Sequence, residues 1–116
     1  TLLSEVAQAR AEDMVRRNYF AHVDPDGFGP NYHIRRAGYR LPDWYADAPG
    51  ANNVESAARG HRSAEAAWAD WLASPGHREH LLGETAFYAA QVFVGVGAVL
   101  TERAAVYVVL TAHAET

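Results

Sequence analysis

The chain has 116 residues, 49% of them apolar, a formal net charge of −4 and no cysteine. That size and apolar share predict one domain, residues 1 to 116, with a core of its own, and the missing cysteines exclude disulfide frameworks, thiolate metal sites and cysteine nucleophiles. The mild acidity, with arginine in place of every lysine and no basic run, argues against nucleic acid and anionic membrane surfaces as partners.

No apolar run reaches transmembrane length. The sequence starts at Thr1 already inside a helical pattern, so a processed or trimmed start is expected, with any export signal or anchor lost upstream. Residues 2 to 20 space Leu3, Val6, Ala7, Met14 and Val15 as one amphipathic helix ending near "NYF". "HVDPDGFGP" follows as a turn-rich loop; its "DPDG" lacks the further carboxylates of a calcium loop and reads as a plain turn. Pro30 suits a first helical position and Gly38 a left-handed stop, which predicts a short helix over "NYHIRRAG".

"YRLPDWYADAPG" has no clear period and is predicted as a long loop with an exposed Trp44–Tyr45 pair. "NNVES" is a candidate short strand. Ser63 caps a helix whose Ala66, Ala67, Trp68, Trp71 and Leu72 form a broad apolar face, and Ser-Pro-Gly at 74 to 76 stops it. "QVFVGVGAVL" and "AVYVVLTA", separated by "TERA", predict an antiparallel hairpin. Helices first and strands last imply an α+β fold with helices covering an antiparallel sheet.

Four polar residues stand out as candidates for chemistry: His22, Glu55, Ser74 and His77. Two imidazoles and one carboxylate could hold a zinc-like ion with an open position. Each also has a bland explanation, His22 as a partner of the "DPDG" turn and Glu55 as an acceptor for backbone donors. Ser74 precedes Pro75 and is expected to cap the next helix through its hydroxyl. That would place His77 in the first turn, where the helix dipole favours the neutral imidazole. His80 is expected to be solvated and expendable, and His33, His61 and His113 have no evident partner. No G-x-S-x-G elbow, H-E-x-x-H pair or phosphate-binding glycine loop is present.

In this order the candidates resemble the CAP superfamily of cysteine-rich secretory proteins, antigen 5 and pathogenesis-related type 1 proteins, in its short, cysteine-free bacterial form. "YFAHVDPDGFGPNYHIRRAGY" is similar to the family's F-S-H-x-D-P-D-G segment and its short helix. "VESAARGHRSAEAAWADWLASPGHREHLL" is similar to the stretch from G-E-N-I-A to S-P-G-H-R. The resemblance implies a three-layer α-β-α sandwich and a cleft lined by His22, Glu55 and His77. The second acidic position of eukaryotic members falls on Ser74. Val54 and Ser56 replace the Gly and Asn around the Glu, so Ser56 joins Ser74 as a residue supporting the cleft from behind.

Two insertions, "RLPDWYADAPGAN" and "GETAFYAAQ", are expected to reshape the rim. There Trp44, Tyr45, Phe87 and Tyr88 either form an aromatic lip for an apolar or carbohydrate-like ligand or cover the ends of the core. The function the resemblance implies is a monomeric, secreted or cell-envelope binding module for a small molecule, lipid, glycan or peptide, with a divalent metal such as zinc as a candidate cofactor. The alternative is a metal-assisted hydrolase of peptides or esters built on His22, Glu55 and His77. With Ser74 in place of an acid, the reading leans away from an enzyme.

Overall fold

The computed structural model describes residues 1–116, and its architecture is organised around the last strand. β3 (Ala105–Ala112) is buried along its whole length and runs antiparallel to both β1 (Glu55–Arg59) and β2 (Phe93–Leu100), in the order β1-β3-β2. A strand covered on both faces needs no polar alternation, which is why "AVYVVLTA" reads as a continuous apolar run.

Val106, Val108, Leu110 and Ala112 face one layer, clustering with Leu3, Val6, Ala7, Ala11 and Met14 of α1 (Leu2–Arg16) and Ile34 of α2 (Pro30–Arg36). The alternate residues Ala105, Tyr107 and Val109 cluster with Ala58 and with Ala67 and Trp71 of α3 (Ala64–Ala73). α4 (Pro75–Leu81) and α5 (Ala86–Ala89) continue that second layer. The arrangement is the three-layer sandwich expected from the sequence. Ser63 caps α3 as anticipated, accepting from Ala66 N at 3.1 Å.

α1 lies directly on β2. A Cβ on Gly95 would sit 2.2 Å from the backbone of Leu3 and Ser4, and one on Gly97 would sit 2.3 Å from Gln8 N. Only hydrogen fits at both places.

Two boundaries and the burial of one loop differ from expectation. α1 ends at Arg16 because Asn18 adopts a left-handed conformation (φ 54°) and the Tyr19 N–H returns to the Met14 carbonyl at 3.0 Å, closing the helix four residues early. β1 starts at Glu55 because the Asn52 carboxamide oxygen holds both Val54 N and Glu55 N in a tight turn. The loop from Tyr39 to Gly50 is not an exposed flap: Leu41 and Tyr45 are buried in the core, and Arg35 of α2 donates to the carbonyls of Tyr45 and Ala46.

Candidate functional site

A cleft of about 230 Å³ opens between the start of β1 and the first turn of α4, lined among others by His22, Glu55, Ser56, Ser74, His77 and Tyr88. Its floor is a charged unit. Arg10 projects from the core-facing stripe of α1 and grips Glu55 with both arms, Nε to Oε2 at 2.9 Å and Nη2 to Oε1 at 2.8 Å, with both side chains almost wholly buried. The same Nη2 donates to the His22 carbonyl at 2.7 Å, and the His22 ring contacts Glu55 Oε1 through Nδ1 at 2.8 Å. Burial works against the Arg10 charge, but the hydrogen bonds and field of Glu55 outweigh it and raise its pKa. A bidentate guanidinium–carboxylate pair is the geometry in which a buried ion pair best offsets its desolvation.

Sequence reasoning missed Arg10. The signal was present: Leu3, Val6, Ala7, Arg10, Ala11 and Met14 form the buried stripe of α1, and a charge in such a stripe requires a buried partner.

No carboxylate lines the other side of the cleft. His77 Nδ1 meets the Ser74 hydroxyl at 2.9 Å. Ser74 therefore corrects one expectation: it occupies the N-cap position of α4, but its hydroxyl caps no backbone N–H and is spent on His77 instead. Pro75 at the first helical position starts the helix without it.

Behind these residues runs a chain of buried hydrogen bonds. Ser56 Oγ lies 2.7 Å from His80 Nδ1, His80 Nε2 lies 2.6 Å from Thr111 Oγ1, and Thr111 donates to Gln91 Oε1 at 2.5 Å. Gln91 Nε2 donates to the Asn53 carbonyl at 2.7 Å and to the Tyr45 hydroxyl at 3.0 Å. A carbonyl can only accept, so the Gln91 amide is fixed, and with it every proton upstream. Thr111 must give its proton to Gln91, His80 must carry its proton on Nε2, and Ser56 must donate to His80 Nδ1.

His80 is thus neither solvated nor expendable, contrary to expectation. Burial, then the neighbouring His77 and His22, lower its pKa to about 4, with Glu55 acting weakly in the opposite direction. The other histidines also acquire partners: His33 with Asp24 at 2.7 Å, His61 with Asp70 at 3.3 Å, and His113 with the Tyr45 hydroxyl. Asp24 also accepts from the Asp26 and Phe28 amides, which confirms "DPDG" as a plain turn.

The four rim aromatics divide between the two alternatives. Tyr45 is a core residue, Phe87 packs half-buried against Tyr45 and His113, and exposed Trp44 stands edge-on to His113. Only Tyr88 lines the cleft, its ring 5.0 Å from that of His80. A larger groove of about 910 Å³ lies beside α1 and α2, but Asp13, Arg16, Arg17 and Asp26 there already pair with one another.

The proposed ligand set His22, Glu55 and His77 does not fit a zinc ion as three donors. Both Glu55 oxygens are held by Arg10, and no three His, Asp or Glu side chains converge at ligating geometry. What remains are two imidazoles, each fixed through Nδ1 and with no protein partner at Nε2.

The profile of the cysteine-rich secretory protein family, CAP, matches residues 2–110. The chain belongs to the CAP family. An extracellular protein from Bacillus anthracis that contains an SCP domain has a similar structure at 27% identity and a TM-score of 0.66, covering 97% of this chain and 32% of that one. This CAP domain thus spans about a third of that protein's length. An outer surface protein of Borrelia burgdorferi shares the fold at 21% identity and a TM-score of 0.67, over 98% of this chain and 74% of that one. No curated protein sequence matches the chain.

Proposed function

We propose that this CAP domain is a binding module of the cell envelope or extracellular space, with the cleft between His22 and His77 as its ligand site. The observation that carries the reading is the Arg10–Glu55 pair. It ties up the one carboxylate at the cleft, leaving no free carboxylate to act as general base or third metal ligand in a metal-assisted hydrolase. Glu55 then serves to orient His22, as Ser74 orients His77, and the two free Nε2 atoms are the recognition groups.

At about 230 Å³ the cleft lies below the ~300–1,000 Å³ of pockets that enclose a whole small molecule. It accommodates one head group, sugar edge or side chain of a lipid, glycan or peptide. The extracellular and outer-surface descriptions of the two structural neighbours support the location. A divalent ion finds two imidazoles here, against the three or four protein ligands of well-formed zinc sites, so zinc is expected to bind weakly and exchange readily.

Zinc titration of the wild type and of the His22→Ala, His77→Ala double variant, followed by assay on a peptide and ester panel, tests the reading. The expected result is weak zinc uptake, reduced in the double variant, and no turnover. Stoichiometric zinc that survives dialysis, or ester hydrolysis that disappears in the double variant, would overturn it.

A further inference from the structure

The second helical layer stops short of β2. Val94 and Val96 face the α3–α4 side, opposite Thr111 and Val109 in the ladder, yet they are 55% and 57% exposed. In the same run of chain Val92, Phe93 and Leu100 are also half exposed or more. No charged side chain lies between Glu84 and Glu102, whereas natural edge strands are usually defended by charge, proline or a bulge.

One defence is present, and it is local. The Gln8 carboxamide clips the outer edge of β2 at a single residue, donating to the Ala98 carbonyl at 2.9 Å and accepting from Ala98 N at 2.8 Å. Backbone groups along a strand alternate in direction. Because those of Ala98 point away from β3, those of Val94 and Val96 do too, and nothing in the chain pairs with them.

We propose that β2 pairs with β2 of a second copy, antiparallel across a two-fold axis at Gly95, with Val94 of one copy opposite Val96 of the other. The inference is independent of the cleft reading and replaces the monomer expected from sequence with a weak homodimer.

Three observations select a second copy as the occupant. The free donors and acceptors at Val94 and Val96 satisfy one another in that register, and the Gln8 clip ends the ladder at Ala98 on each side. The uncharged surface is complementary to itself and offers a charged partner nothing to pair with. In that register Val94 and Val96, each more than half exposed, stand opposite one another across the axis, so the apolar side chains of one copy continue those of the other. A contact confined to a short strand edge falls below the roughly 1,200 Å² at which stable interfaces begin, so the dimer is weak.

Sedimentation velocity from about 1 µM to about 1 mM spans the relevant affinities. The expected result is a concentration-dependent shift from monomer to dimer, weakened at least tenfold by Val96→Lys. Gln8→Ala, which frees Ala98 and lengthens the edge, should tighten it several-fold. Hydrogen exchange at the Val94 and Val96 amides of the wild type should slow as concentration rises, a readout that does not depend on any variant folding. A chain that stays monomeric throughout overturns the proposal. So does a dimer in which those two amides exchange as fast as in the monomer.

Discussion

The two sides of the cleft bury polar groups in opposite ways. Under His22 the solution is ionic: Arg10 and Glu55 exchange two charge-assisted hydrogen bonds out of water. Under Ser56 it is neutral: His80, Thr111 and Gln91 form a directed chain in which each group has a partner and no charge. The ionic side depends on one partner being present. The neutral side depends on one proton being absent, so the two halves should fail under different insults.

The largest effect is expected from Arg10→Met. It leaves Glu55 buried with an unmatched charge, a class of change that costs about 3–5 kcal/mol. Urea unfolding measures this, and the double variant Arg10→Met, Glu55→Leu should recover most of the loss. If the double variant is no more stable than Arg10→Met, desolvated charge is not what the pair manages.

Acid is the matching insult for the neutral side. Between pH 6.5 and about 4 the unfolded chain binds a proton that folded His80 refuses, so stability falls as pH falls through that window. The total is about 3 kcal/mol. His80→Gln should flatten the dependence in that range; equal losses in wild type and variant would locate the proton elsewhere. Asp13 and Asp24 act in a separate window. Their hydrogen bonds outweigh burial and hold them below the ordinary value of 3.8, so their contribution is lost only at more acid pH.

Smaller effects sharpen the contrast. Thr111→Val strands the His80 N–H and the Gln91 carbonyl oxygen together and should cost about 1–3 kcal/mol. Nitrogen NMR of the imidazole should then show His80 no longer confined to the Nε2–H form. Ser74→Ala should change stability by less than about 0.5 kcal/mol, because the hydroxyl caps nothing. It should still weaken zinc uptake about tenfold by releasing the His77 ring. An unchanged zinc titration would show that Ser74 does not position that histidine.

The layers of the fold were legible because periodicity reports which face is buried. Leu3, Val6, Ala7 and Met14 marked the stripe of α1, and the two β-branched runs around "TERA" marked the antiparallel pair β2 and β3. His22, Glu55, Ser56, Ser74 and His77 were each legible as residues, and the structure brings them to one cleft. What each does was not. Whether Glu55 faces an ion or an arginine depends on Arg10, 45 positions away in sequence, and no local pattern carries that information. The same holds for His80, whose partners Ser56 and Thr111 come from two different strands. Tyr45 looked like a surface aromatic because its neighbours are proline, aspartate and tryptophan; only the tertiary path of the loop places it in the core.

The middle strand of the sheet is the last of the eight elements in the sequence. During synthesis, α1 emerges with its apolar stripe uncovered and waits for Gly95, Gly97 and the alternate residues of β3 to arrive. β1 likewise has no neighbour to pair with until Ala105 to Ala112 leaves the ribosome. Folding is therefore expected to be late and all at once, with the long sequence separations that slow it. A stop codon anywhere before Ala105 would remove the centre of the molecule and release an aggregation-prone chain, not a smaller domain.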